Sequence, residues 1–244
     1  MIRFEGRLLL FDIEGTVSPL AFVREVMFPH ARKALRGFLD HQADRPDVVD
    51  VLGQMARDAG RNSVKNWCPH PIGSGAAKEW FIREFEHLME GDAKLTGFKQ
   101  LQGLIWEEGF RSGALQATLF PDVVPAWQKF LSSGLLLQIY SSGSVPAQRL
   151  FFAHTQEGDL TPMLSGHHDT TRGSKKEAAS YATIALAVGM APGEILFVSD
   201  IVAELDAARE AGFATALAVR PGNPEADPSS HATLSTLEEI IIPA

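Results

Sequence analysis

Four short apolar runs constrain this chain more than any other feature: LLLF at 8–11, LLLQIY at 135–140, ILFV at 195–198 and ATALAV at 214–219. Each has the length of a strand and is followed at once by a turn or polar signal, which is how strands buried in a parallel sheet read. Helical patterns lie between the later runs. EAASYATIALAVGM (177–190) closes on a glycine, and AELDAAREAG (203–212) is stopped by Gly212. Strands alternating with helices predict βαβ units, so the fold class is α/β with a Rossmann-like parallel sheet core.

A long gap separates LLLF from the next run. Residues 20–118 carry helical stretches instead: AFVREVMFPHARKALRGFLDHQ, DVVDVLGQMARDAG and KQLQGLIWEEGF, joined by the Pro/Gly/Ser-rich CPHPIGSGAA. The simplest organisation is a core of 1–18 and 119–244, with 19–118 inserted after the first strand as a helical cap lobe. Pro29 predicts a kink or break in the first of these stretches. GSGAAKEW (73–80) lacks the spacing of a nucleotide loop and reads as a hinge. Trp67, Trp80, Trp106 and Trp127 read as packing residues. The tail RPGNPEADPSSHATLSTLEEIIIPA starts as a loop and closes with a short helix or strand.

With 45% apolar residues, the 244-residue chain supports a substantial core. Its formal charge of −8 comes without a basic block, which argues against a nucleic-acid backbone as partner and for a small polar substrate. Cys68 is the single cysteine, so an internal disulfide and a paired-thiolate metal site are both excluded. The apolar stretch in MIRFEGRLLLFDIEG is too short for a signal peptide, and no run approaches the ~20 apolar residues of a membrane span. The expectation is a cytoplasmic monomer with no membrane partner.

In open parallel sheets, ligands bind beyond the carboxyl ends of the strands. The residues that gather there are Asp12, Glu14, Gly15 and Thr16 after the first run, Ser141, Ser142, Gly143 and Ser144 after the second, and Ser199, Asp200 and Glu204 after the third. TTRGSKKEAASY adds Lys175 and Lys176 at the opening of a helix. Taken singly, these have plain readings: DIEGT as a turn, Ser141 and Ser142 as helix caps, Lys176 as a solvated neighbour. Glu204 reads equally well as a group that orients a metal ligand or as an acid favoured by a helix N-terminus. His167, His168 and Asp169 read as loop rather than metal site.

A strand-end carboxylate, a second acid two residues on and then Gly-Thr resembles the first motif of haloacid dehalogenase-like phosphatases. Ser141, Lys175 and Asp200 follow in that family's order. The resemblance implies that Asp12 attacks phosphorus and carries the phosphoryl group, while Glu14 acts as acid and then base. It implies one Mg²⁺ per subunit, held by Asp12, Glu14 through its carbonyl, and Asp200, with phosphate oxygens on Ser141, Ser142 and Lys175.

The resemblance narrows further. DIEGTVSPLAFVREVMFPHAR, QLQGLIWEEGF, FPDVVPAW, IYSSGSVPAQRLFFAHTQEGDL, GHHDT and VRPGN are similar to the enolase-phosphatases of methionine salvage over most of the chain. That family enolises 2,3-diketo-5-methylthiopentyl 1-phosphate and then removes its phosphate to give an acireductone. The base for the enolisation stays open between Glu14 and a group of the inserted lobe. Phe22, Val23 and Phe28 are candidates to meet the methylthio group, with plain packing the alternative. Two other functions stay open: a haloacid dehalogenase-like phosphatase of another small ester, and a binding protein that retains the fold.

Overall fold

In the computed structural model, LLLF is a four-residue strand whose every side chain is shielded from solvent. The structure describes residues 1–91, 93, 95–228 and 231–243. The chain divides into two compact units, Met1–Arg24 with Gln116–Ala244, and Glu25–Leu115.

The first unit starts with β1 (Ile2–Arg3) and β2 (Leu8–Phe11). A π-helical segment, Phe22–Met27, then runs into α1 (Phe28–Gln42). The irregularity expected at Pro29 therefore falls in the widened turns before it. Pro29 itself lies in the first turn of α1, and because Met27 before it is already helical, its missing N–H breaks the hydrogen-bond ladder where the widened turns meet α1.

The second unit is helical. After α1 come α2 (Pro46–Asp58), α3 (Val64–Trp67), α4 (Gly75–Glu90) and α5 (Thr96–Arg111). α2 buries Val48, Val51, Leu52, Met55 and Ala56, the stripe that a 3.6-residue period lays along one helix face. A Cβ on Gly97 would lie 2.5 Å from the Met55 nitrogen, so glycine lets α5 approach α2 closely. Asp58 Oδ2 accepts from the Gly97 N–H at 2.7 Å and satisfies one orphan donor of the α5 N-terminus. GSGAAKEW is not a hinge. Ser74 caps α4 by accepting from Ala77 N at 3.1 Å, and the residues from Gly75 to Trp80 form the helix's opening turns. Trp80, on α4, packs edge-on against Trp67 at 4.7 Å.

The first unit resumes with α6 (Val123–Ser132), β3 (Leu136–Tyr140), α7 (Val145–Ala153), β4 (Gly166–His168), α8 (Ala178–Val188), β5 (Ile195–Ser199), α9 (Val202–Glu210), β6 (Ala214–Ala218), β7 (Ala232–Leu234) and β8 (Ile240–Ile241). Six strands form a parallel sheet in the order β4-β3-β2-β5-β6-β7, and β1 pairs with β8 separately. β2 is central: Leu8 lies opposite Leu136 on one side and Ile195 on the other. Trp127 on α6 is fully buried between Phe11 and Phe152, each at 5.7 Å. Phe22 packs edge-on against Phe151 at 5.9 Å. His167 and His168 stand in the edge strand β4, not in a loop, and His168 Nε2 bonds the Gln138 side chain at 2.7 Å. The tail supplies β7, a 3₁₀ turn at Leu237–Glu239 and β8; its residues Ser229, Ser230 and Ala244 lie outside the described ones. Among the described residues, no helix is long and apolar enough to cross a membrane.

Candidate active site

Strand register sets the level of the strand-end groups. Phe11 pairs with Ile139 and with Val198, so Ser141 and Asp200 follow one step beyond the level of Asp12 on the two flanking strands. Asp12 is 6% exposed. Lys175, 7% exposed, reaches it from the turn before α8 and donates to Asp12 Oδ1 at 2.6 Å. The same ammonium stands 2.6 Å from Glu204 Oε2, which also accepts from Ser199 Oγ at 2.9 Å. Glu204 is therefore a member of the buried cluster and not merely an acid favoured by a helix end. The Lys175 carbonyl is itself fixed by the Tyr181 hydroxyl at 2.7 Å. Both lysines precede α8 rather than open it, and Lys176 is exposed.

The hydroxyls after β3 divide by role. Ser144 caps α7, accepting from Ala147 N at 3.4 Å, so neither Ser141 nor Ser142 supplies that cap. Ser141 is buried, with its N–H on the His168 carbonyl at 3.2 Å, while Ser142 is exposed. Gln148 holds this turn from behind: its Nε2 donates to the carbonyls of Gly143 and His168, both at 2.7 Å. Nothing in residue type or spacing singled out Gln148.

Gly15 has φ +73°, and a Cβ there would stand 2.3 Å from Asp200 Oδ2. The glycine lets the acid loop fold directly over Asp200, in a conformation that side chains other than glycine rarely adopt.

The electrostatics are lopsided. Burial, then Asp12 and Glu204, push the Asp200 pKa up to about 7. Burial and the Asp12 charge raise that of Glu14, which nonetheless opens to solvent, so the desolvation there is only partial. Burial and Asp12 also raise Glu204. Burial works against the Lys175 ammonium, but Asp12 and Glu204 outweigh it and hold its pKa above the ordinary value. Among the described residues Lys175 is the one cation in ion-pair contact with any of these acids.

No group of three or more His, Cys, Asp or Glu side chains among the described residues is arranged to enclose an ion. Mg²⁺ does not require such a cage, because it keeps several waters and takes one or two carboxylates together with substrate phosphate. The surplus of negative charge around Asp12 and Asp200 suits a hydrated cation. So does the buried Asn223 Oδ1, which has no protein donor and would lie 3.1 Å from a Cβ on Gly15, beside Asp200.

A six-stranded parallel sheet with acids and a buried lysine at its carboxyl ends has the fold of the haloacid dehalogenase-like superfamily. The L-2-haloacid dehalogenase RSc1362 shares it at a TM-score of 0.55 and 19% identity, covering 96% of each chain. The UTR4 protein of Saccharomyces cerevisiae superposes at 0.78 with 32% identity, over 96% of this chain and all of its own. No protein-family model matches the chain. Enolase-phosphatase E1 of Synechococcus elongatus is 44% identical over 235 residues, 95% of this chain and 96% of its own length. The chain belongs to the enolase-phosphatase E1 family.

Proposed function

We propose that this chain is a Mg²⁺-dependent enolase-phosphatase of methionine salvage. It converts 2,3-diketo-5-methylthiopentyl 1-phosphate to the acireductone 1,2-dihydroxy-3-keto-5-methylthiopentene and phosphate. The observation that carries the reading is the buried Asp12–Lys175–Glu204 array, with Asp200 and the Gly15 loop at its edge. In this reading the helical insert, 19–118, serves as the cap, and the protein works as a cytoplasmic monomer on a small phosphate ester.

Lys175 holds Asp12 Oδ1, which leaves Oδ2 to attack phosphorus in line with the departing oxygen. The bond from phosphorus to the substrate oxygen breaks as Glu14 gives that oxygen a proton, a task that suits a carboxyl whose pKa is raised. Glu14 then takes a proton from the water that attacks the aspartyl phosphate, releasing phosphate and restoring Asp12. Ser141, Ser142 and Lys175 bind the remaining phosphoryl oxygens. Mg²⁺ on Asp12, Asp200 and the Glu14 carbonyl would offset the repulsion between anionic nucleophile and anionic ester.

The test is one coupled assay on the synthetic diketone phosphate, with and without Mg²⁺, that follows phosphate and the near-ultraviolet enediol together. Both products appear only with the metal. Phosphate without enediol would reduce the reading to a phosphatase of another small ester, and absence of both products would overturn it.

A further inference from the structure

We propose that Arg220 and Asn223, the first and last residues of the RPGN turn after β6, are positioning residues that clamp the backbone of the acid loop. Asn223 Nδ2 donates to the Gly15 carbonyl at 2.8 Å, and Arg220 Nε donates to the Thr16 carbonyl at 2.9 Å. Two consecutive peptide oxygens, directly after Glu14, are thus held from one turn more than two hundred positions away. The inference rests on the assignment of Asp12, Glu14 and Asp200 made above.

The turn is built for rigidity. Asn223 N–H bonds the Arg220 carbonyl at 3.1 Å, Pro221 occupies the second position, and Gly222 takes φ +85° at the third. That is the chemistry of a type II turn, in which proline presets one dihedral and glycine accepts the positive one. Pro224 restrains Asn223 further from the other side.

Each clamp side chain is fixed in turn. Arg220, 4% exposed, places Nη1 at 3.0 and 2.9 Å from the two Asp122 carboxylate oxygens and 2.8 Å from the Ser235 carbonyl. Its guanidinium lies 4.7 Å over the Phe120 ring. Asn223 Nδ2 has a second carbonyl, that of Ala218, at 3.3 Å. With two acceptors on the nitrogen side, the amide orientation is settled, and Oδ1 faces the Gly15–Asp200 side. These bonds go to main-chain oxygens and leave the acids' own oxygens uncommitted. The clamp therefore sets where Asp12, Glu14 and Asp200 stand relative to one another without altering their chemistry.

The experiment uses the full chain with Asn223→Leu, which removes the donor to the Gly15 carbonyl at similar bulk, and Arg220→Lys, which removes the Nε donor to the Thr16 carbonyl and leaves Asn223 Oδ1 in place. Readouts are Mg²⁺ affinity of the substrate-free protein by calorimetry, kcat and KM for phosphate release, and the thermal midpoint. The clamp predicts that both variants weaken Mg²⁺ binding and lower kcat by about tenfold, the scale of lost support behind a metal site. KM stays within about twofold, since the removed bonds touch no substrate. Unchanged Mg²⁺ affinity and kcat in both variants would overturn the proposal. So would a fall in the thermal midpoint with all other parameters moving in proportion, which is the signature of a purely structural role. Calorimetry needs no substrate: if the wild type fails on the diketone phosphate but both variants lose Mg²⁺ affinity, the clamp stands and the proposed function falls.

Discussion

In the helical unit, Phe85 and Phe98 pack edge-on at 5.1 Å, and among the described residues Gln102 is the one buried polar side chain. Its ion pairs, such as Arg36–Glu79 and Arg45–Asp47, lie in solvent. In the α/β unit, Asp12, Lys175, Ser199 and Glu204 are buried beside wholly apolar strands. Burying charge is unfavourable unless it is paired, and a chain stabilised only by its core has no need of it. One unit follows the rules of stability alone; the other departs from them along the carboxyl edge of its sheet.

The sharpest way to break this contrast is Asp12→Asn. Phosphate release should fall by about a thousandfold or more, with the protein still folded by circular dichroism. Substantial turnover by the variant would make the buried cluster structural after all.

Next come two substitutions of similar weight but different kind. Lys175→Met leaves Asp12 and Glu204 without their shared cation and should destabilise the metal-free protein by about 3–5 kcal/mol in urea unfolding. Added Mg²⁺ should recover part of that loss. Phe85→Ala in the helical unit should also reduce stability by about 3–5 kcal/mol through cavity formation, with no recovery by Mg²⁺.

Asp200→Asn sharpens the comparison through pH. A carboxyl whose folded pKa is raised contributes stability that is full below its unfolded pKa and is lost as pH rises through about 7. In metal-free protein, the variant's thermal midpoint should gain on the wild type between pH 5 and about 7 and hold that lead above it. A gap that narrows with rising pH would contradict the placement of Asp200. The smallest effect belongs to Arg36→Ala, whose exposed pair with Glu79 should leave the unfolding midpoint unmoved within error.

The sequence made the central sheet legible because strands buried on both faces are written as unbroken apolar runs, as LLLF and ILFV are. The edges were not legible. GHH and ATL carry no such signature, and β4 forms where Gln138 meets both the His168 ring and the side-chain-free Gly166. Asp12, Glu14 and Asp200 were readable as strand-end acids. Lys175 needed the order of motifs, since Lys176 beside it is chemically identical. Glu204 could not be decided from spacing, because a helix-end acid and a partner of Lys175 look the same until Lys175 is placed. Contacts made to carbonyls, such as those of Gln148 and Asn223, leave almost no trace in residue type; the Pro-Gly pair of the RPGN turn is the nearest thing to one.

The sheet order has a consequence for the newborn chain. Both neighbours of β2, at Leu136–Tyr140 and Ile195–Ser199, are translated long after it. The helical stretch, whose contacts are local, can collapse while LLLF is still unpaired. Until Leu136–Tyr140 emerges, the polypeptide thus carries a wholly apolar segment with no strand beside it, open to association with other chains.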